Sequence, residues 1–191
     1  ASRRFGSDKS LALLGGRPLV EWVASALAVA GAQTVVVVGG DERALASFGL
    51  EVVPDRWPGE GPLGGLITGL EATGSGVEYV VVAGCDLPGL QPGTVRKLIC
   101  ALKAAPEWSD AAVATANGVP QWHLVVVRTS VAARLLERFC AGKRSIKDGL
   151  AGGGTLEVPV EPGAVRDVDS QQDLDRYASG VRRIEMGESE R

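Results

Sequence analysis

Tyr79-Val80-Val81-Val82-Ala83-Gly84-Cys85-Asp86-Leu87-Pro88 reads as a strand that stops on a carboxylate. The run 79–83 is uncharged and unalternating, which suits a strand covered on both faces, since a half-exposed strand would place polar residues at every second position. Gly84 and the Leu87-Pro88 pair end it in a turn. Asp86 is thereby left at the carboxyl end of a central strand, where open α/β sheets put their ligand chemistry.

Working outward, Val35 to Val38 is a second strand of the same buried kind, and 51–53 is a short third. Between and around them the period changes to that of helices. Leu19, Val20, Val23, Leu27 and Ala30 fall at helical spacing before the stop signal Gly31, and Asp41 is a good N-cap for a short helix ending near Phe48-Gly49. The stretch from Asp55 to Gly65 is too rich in Pro and Gly for regular structure and feeds a helix over 66–72. Further helices are expected over 94–105, over 131–140 with Leu135, Leu136 and Phe139 on its apolar side, just after the basic turn Gly142-Lys143-Arg144-Ser145, and over 171–178. Further strands are expected over 111–115, 124–127 and 165–168. Strands alternating with helices imply an α/β chain with a three-layer α/β/α architecture, a mostly parallel central sheet and right-handed crossovers.

At 191 residues, 45% hydrophobic content and a net charge of −3, the chain is long enough for one well-buried domain. Residues 1–180 are expected to form it, with 181–191 a charged C-terminal extension. The sequence opens in what reads as a loop, so a first strand is expected upstream of Ala1. The balance of charge offers no basic field for nucleic acid, and no apolar stretch approaches the ~20 residues of a membrane span. Cys85, Cys100 and Cys140 contain no C-x-x-C pair, which argues against a disulfide framework or a zinc site and fits buried thiols in a reducing cytoplasm.

The residues with chemistry sit at the carboxyl ends of these strands. Ala1-Ser2-Arg3-Arg4-Phe5-Gly6-Ser7-Asp8-Lys9 reads as a phosphate-handling loop, in which small residues turn backbone N–H groups toward an anion and Arg3, Arg4 and Lys9 supply charge. Alone it would sooner be read as a solvated basic terminus. Behind it stand Asp55, Asp86, Asp167 and Asp169, and basic groups with lone carboxylates suit a Mg²⁺–polyphosphate site. Asp86 is the best single metal ligand, against a role as a turn residue. Asp167 and Asp169, two apart on an expected strand, face one way and so share a task, metal or substrate hydroxyl binding; Asp169 has an alternative role near the start of the last helix. His123 reads as structural, with contact to a phosphate or to a substrate ring as the alternative, while Trp122 and Trp57 are candidates for stacking on a flat ring and Trp22 and Trp108 for packing.

Ser2-x-Arg4-x-Gly6-x-Asp8-Lys9 resembles the second half of the signature loop of the nucleotidyltransferase superfamily, with Phe5 where Met is usual. Gly61-Pro62-Leu63-Gly64-Gly65, Gly84-Cys85-Asp86-Leu87-Pro88 and Asp167-Val168-Asp169-Ser170 resemble, in order, motifs of the molybdenum cofactor guanylyltransferases (MobA). The likeness runs from Ala1 to about Ala178. It implies a Rossmann-like nucleotidyltransferase fold that moves GMP from GTP onto the terminal phosphate of molybdenum-molybdopterin and releases pyrophosphate with the help of Mg²⁺. It implies a nucleotide side built from Ser2, Arg3, Gly6, Lys9, Asp55, Pro62, Leu63, Gly64 and Asp86, with Lys9, Asp86 and Arg4 carrying the chemistry and Asp86 the metal. Arg144, Ser145, Asp167 and Asp169 look like the side that receives molybdopterin, with Trp122 as the stacking candidate; many relatives have Asn-x-Asn at the last pair. The resemblance also implies transient contact with other proteins of molybdenum cofactor biosynthesis.

Overall fold

A computed structural model describes residues 9–170 and 172–178. Ser2, Arg3, Arg4 and Gly6, together with the extension 181–191, lie outside the described residues. Lys9–Leu11 forms one 3₁₀ turn, and a small hairpin follows, β1 (Leu13–Leu14) and β2 (Arg17–Pro18). Helix α1 (Leu19–Ala30) ends at Gly31, whose φ of 107° no side-chain-bearing residue adopts readily. Strand β3 (Val36–Val38), helix α2 (Glu42–Ala46) and strand β4 (Glu51–Val53) follow, and Asp41 caps α2 by accepting from the Ala44 N–H at 3.1 Å.

Helix α3 (Pro62–Ala72) begins four residues before the expected 66. Pro62 is pre-set for the first helical position, and Gly64 is wound into the helix because its bare Cα fits beneath Trp57 and Phe139; an added Cβ would meet both at 3.4 Å. Tertiary packing overrides the low helix propensity of the two glycines. Then come β5 (Tyr79–Ala83), α4 (Pro92–Ala104), β6 (Ser109–Ala116), β7 (Val119–Arg128), α5 (Ala132–Cys140), α6 (Ile146–Leu150), β8 (Gly154–Pro159) and a closing helix α7 over 172–178.

The strands run in the order β5-β7-β6-β8, with β3 and β4 paired separately in parallel. β7 is antiparallel to both β5 and β6, whereas β8 is parallel to β6, so the sheet is mixed where a mostly parallel one was expected. The cause is the Asn117-Gly118 turn, with φ of 51° and 75°, which closes β6 and β7 into a hairpin and forces them to oppose. Reading these strands as only 111–115 and 124–127 concealed how short their connection is. The expected strand 165–168 is instead a 3₁₀ turn, Pro162–Val165, running into an irregular segment, and β8 takes the place at the sheet edge.

Helices cover both faces of the four-stranded sheet. Leu87, Leu98, Leu102, Leu124 and Val126 pack on the side of α1 and α4; Leu63, Ile67, Val113, Val125 and Leu135 pack on the side of α3, α5 and α6. The three layers are therefore present. β3 and β5 are half-buried rather than covered on both faces, because among the described residues each is paired along one edge only. Cys100 and Cys140 are exposed and Cys85 is half-buried, so the thiols do not fill the core as expected. Trp22 packs against the small Leu14-Leu19-Val168-Leu174 cluster, but Trp108 is 70% exposed.

Candidate active site

Lys9 begins a 3₁₀ turn that buries its stem against the fold; the residue is only 9% exposed. Its ammonium donates to Asp86 Oδ2 at 2.8 Å and to Asp169 Oδ1 at 2.6 Å. Asp86 stands in the turn after β5. Asp167 and Asp169 stand in the segment between the 3₁₀ turn and α7, and there the alternation that was assigned to a strand persists in burial without one: Val168, between them, is fully buried with Leu14, Leu19 and Leu174. Burial of the middle residue sends both aspartates outward. The Val168 N–H donates to the Asp86 carbonyl at 3.0 Å, so the two acidic segments are joined through the main chain as well as through Lys9.

Carboxylate oxygens of Asp86, Asp167 and Asp169 lie within 4.8 Å of one another. Such proximity of like charges is tolerated because Lys9 sits among them. Burial draws the Lys9 ammonium down, but the hydrogen bonds and charges of Asp169 and Asp86 outweigh it and hold its pKa above the ordinary lysine value. The Lys9 hydrogen bond in turn holds the Asp169 carboxyl below the usual range, against a smaller opposing effect of burial. Gly84 is required by this geometry, since a Cβ there would stand 2.5 Å from Asp86 Oδ1.

A second group of residues gathers around the first turn of α3. Asp55 accepts from the Trp57 N–H at 2.9 Å, and Thr68 Oγ1 lies 3.4 Å from it, which fixes the carboxylate at the end of β4. Gly39, at φ 74°, borders it; a Cβ there would be 3.4 Å from Asp55 Cβ. Pro62 is exposed and Leu63 is wholly buried in the core, so only the backbone of Leu63 is available to a ligand, and its N–H is already given to the Arg144 carbonyl at 3.0 Å. Gly64 is buried beneath Trp57 and Phe139.

Arg144 belongs to this group too. Its Nε donates to Glu60 Oε2 at 2.8 Å, its Nη1 to the Phe139 carbonyl at 2.8 Å, and its guanidinium carbon lies 4.3 Å from the Phe139 ring centroid. Trp57 packs on the same ring, centroids 4.9 Å apart. Ser145 caps α6, with Oγ accepting from the Asp148 N–H at 3.0 Å and donating to the Asp148 carboxylate at 2.7 Å. Trp122 is half-buried against the core on the α3 and α5 side. The structure thus brings Lys9, Asp86, Asp167 and Asp169 into one cluster and Asp55, Trp57, Pro62, Leu63, Gly64, Arg144 and Ser145 around one helix start.

The profile of a family described as "MobA-like NTP transferase domain" matches residues 1–154. The chain belongs to this family. A molybdenum cofactor guanylyltransferase from Burkholderia vietnamiensis is 35% identical over 170 residues, covering 83% of this chain and 80% of its own. One from Cereibacter sphaeroides is 31% identical over 183 residues, covering 95% and 92%. Among solved structures, the molybdopterin-guanine dinucleotide biosynthesis protein A of Archaeoglobus fulgidus superposes with a TM-score of 0.76 over 96% of this chain and 95% of its own, at 24% identity, and so shares the fold.

Within this nucleotidyltransferase family member, several contacts had no clear signal in the sequence. Glu60, Thr68 and Phe139 hold Arg144, Asp55 and Gly64 without belonging to any motif. A usable signal existed for one feature: the apolar Val168 between two aspartates is the pattern of a segment pinned by its middle residue. Among the described residues, no helix is long and apolar enough to cross a membrane.

Proposed function

We propose that the chain transfers GMP from GTP to the terminal phosphate of molybdenum-molybdopterin, with residues 1–180 acting as one nucleotidyltransferase domain. The observation that carries this reading is the convergence of Lys9, Asp86 and Asp169 from three distant segments in a chain of this family. A phosphate oxygen of the acceptor attacks the α-phosphorus of GTP, the bond from that phosphorus to the bridging oxygen breaks, and pyrophosphate leaves with the electron pair. The acceptor is already anionic near neutral pH, so no side-chain base is required; the difficulty is like-charge repulsion, which positioning and neutralisation relieve.

The carboxylates of Asp86, Asp169 and Asp167 are hard oxygen donors gathered within 4.8 Å, a donor set that fits Mg²⁺. Asp86 would hold the ion with Asp169. When bound, Mg²⁺ supplies charge that orients the phosphates and stabilises the leaving pyrophosphate. Lys9 binds the nucleotide phosphates, exchanging its two carboxylate partners for phosphate oxygens. Asp55 and the first turn of α3 bind the nucleoside side. Arg144, preorganised on Glu60 and Phe139, receives the acceptor phosphate through the N–H groups left on Nη2, with Asp167, in the acidic cluster, serving the acceptor side and Trp122 stacking on the pterin. Ser145 serves this side through its cap of α6, which fixes the turn that carries Arg144.

Pyrophosphate release measured with Mg²⁺, molybdenum-molybdopterin and GTP, CTP or ATP in turn tests the reading. GTP is the expected donor, and Asp86→Ala is expected to abolish turnover. Preference for CTP would overturn the guanylyl assignment, and GTP binding without pyrophosphate release in the presence of acceptor would overturn catalysis.

A further inference from the structure

β7 is irregular where it faces the acidic cluster. Against β6 its register passes from Val113↔Val125 directly to Ala114↔Gln121, so 122–124 form a bulge, while Leu124 keeps its place opposite Ala83 of β5. Bulges bend a strand and re-aim its side chains. Here the bulge sends Trp122 to one core face and His123 toward the segment before the two aspartates. His123 Nε2 lies 3.0 Å from the Val165 carbonyl. A carbonyl only accepts, so Nε2 carries the proton. The His123 carbonyl accepts from the Gly84 N–H at 2.7 Å, two residues before Asp86. One residue of β7 therefore holds the base of both acidic segments, one through its main chain and the other through its ring.

We infer that His123 is a positioning residue, which anchors the segment 166–169 at the tip of β5 so that Asp167 and Asp169 stand beside Asp86 and Lys9. This rests on the reading of those carboxylates as the cation site. His123 acts in this role through its contacts to Val165 and Gly84 and not on the reacting atoms. Besides its hydrogen bond, the segment is held by one main-chain tie to the β5 turn, from Val168 N–H to Asp86 O, by the Tyr177 hydroxyl donating to the Arg166 carbonyl at 3.3 Å, by the buried Val168 side chain, and by the ion pair from Lys9 to Asp169, whose side chain is 62% exposed. A net hydrogen bond is worth about 1 kcal/mol, roughly a fivefold change in local opening.

The test uses His123→Ala, His123→Asn and His123→Gln in the full chain. Glutamine places an amide N–H near the position of Nε2, whereas asparagine is one methylene short and keeps polarity without reach. Hydrogen exchange at the Val168 amide is expected to accelerate about fivefold in the Ala and Asn variants and to return toward wild type in Gln. Mn²⁺ affinity, followed by electron paramagnetic resonance without turnover, is expected to fall about tenfold in the same two variants, the scale of lost outer-shell support, and to recover in Gln. Unchanged exchange at Val168 in both the Ala and the Asn protein would overturn the inference, as would a Gln variant that exchanges as fast as Ala. Wild-type protein that takes up no Mn²⁺ would defeat the cation-site reading instead, and the exchange rates would still decide His123.

Discussion

Replacing Lys9 by methionine keeps a long stem in the buried channel and removes only the charge. Two ion pairs are lost, one with side chains 10% and 23% exposed and one with side chains 10% and 62% exposed. The second is a largely solvated pair, worth at most about 1 kcal/mol, while the first lies between that and the 3–5 kcal/mol of breaking a fully buried pair. Carboxylates as close as 4.8 Å also repel by about 1 kcal/mol per pair in a water-like dielectric and more in protein. A net loss of roughly 2–3 kcal/mol in stability follows. The more telling consequence concerns cations. In the wild type the ammonium competes for the oxygens of Asp86 and Asp169, so without nucleotide the Lys9→Met protein should bind Mn²⁺ more tightly, by about tenfold, and recover much of its lost stability when the ion is added. Turnover should nevertheless fall by about 10²–10³, the usual scale for removing one preorganised charge from the reacting phosphates. Calorimetric Mn²⁺ titration, thermal unfolding with and without the ion, and pyrophosphate release measure the three quantities. Weaker Mn²⁺ binding in the variant would refute the competition on which the reasoning depends.

Two further predictions concern the cap and the charges. Ser145→Ala should destabilise by about 1 kcal/mol in urea unfolding through loss of the α6 cap, with kcat kept within a few fold; a collapse of kcat at unchanged stability would mean that the hydroxyl meets the substrate. Because the Asp169 carboxyl titrates below its unfolded value, its share of stability is present above the ordinary range near 3.8 and is lost as pH falls through the folded value. The Lys9 share is present below its ordinary 10.5 and is lost as pH rises through its higher folded value. Stability curves against pH should therefore weaken at both extremes, and in Lys9→Met the alkaline contribution should vanish and the acid one shrink.

The α/β class was legible because the valine runs and the helical spacing of Leu19, Val23 and Leu27 carry the two periods plainly. The mixed direction of the sheet was not, because direction depends on a turn whose flanking strands, 109–116 and 119–128, are disguised by alanines on one side and by Pro120 and Gln121 on the other. Asp86 was legible from its own strand. That Asp167 and Asp169 gather with Asp86 was expected too, but from a strand over 165–168 that does not form; their meeting depends instead on Val168 being buried among residues from α1, β1 and α7. Arg144 bound to Glu60 and Phe139 had no local sign at all, as those partners lie 84 and 5 residues away and depend on how α5 docks against α3.

Lys9 reaches partners 77 and 160 residues further along the chain. A nascent chain can complete the hairpin of β6 and β7 and cover it with helices long before Asp169 has been synthesised, but until then Lys9 lacks one of its two counter-charges and Val168 has not yet filled its place between Leu14 and Leu19. The segment 166–169 is therefore the last part of the acidic cluster to be made, and the cluster closes only once that segment has been synthesised.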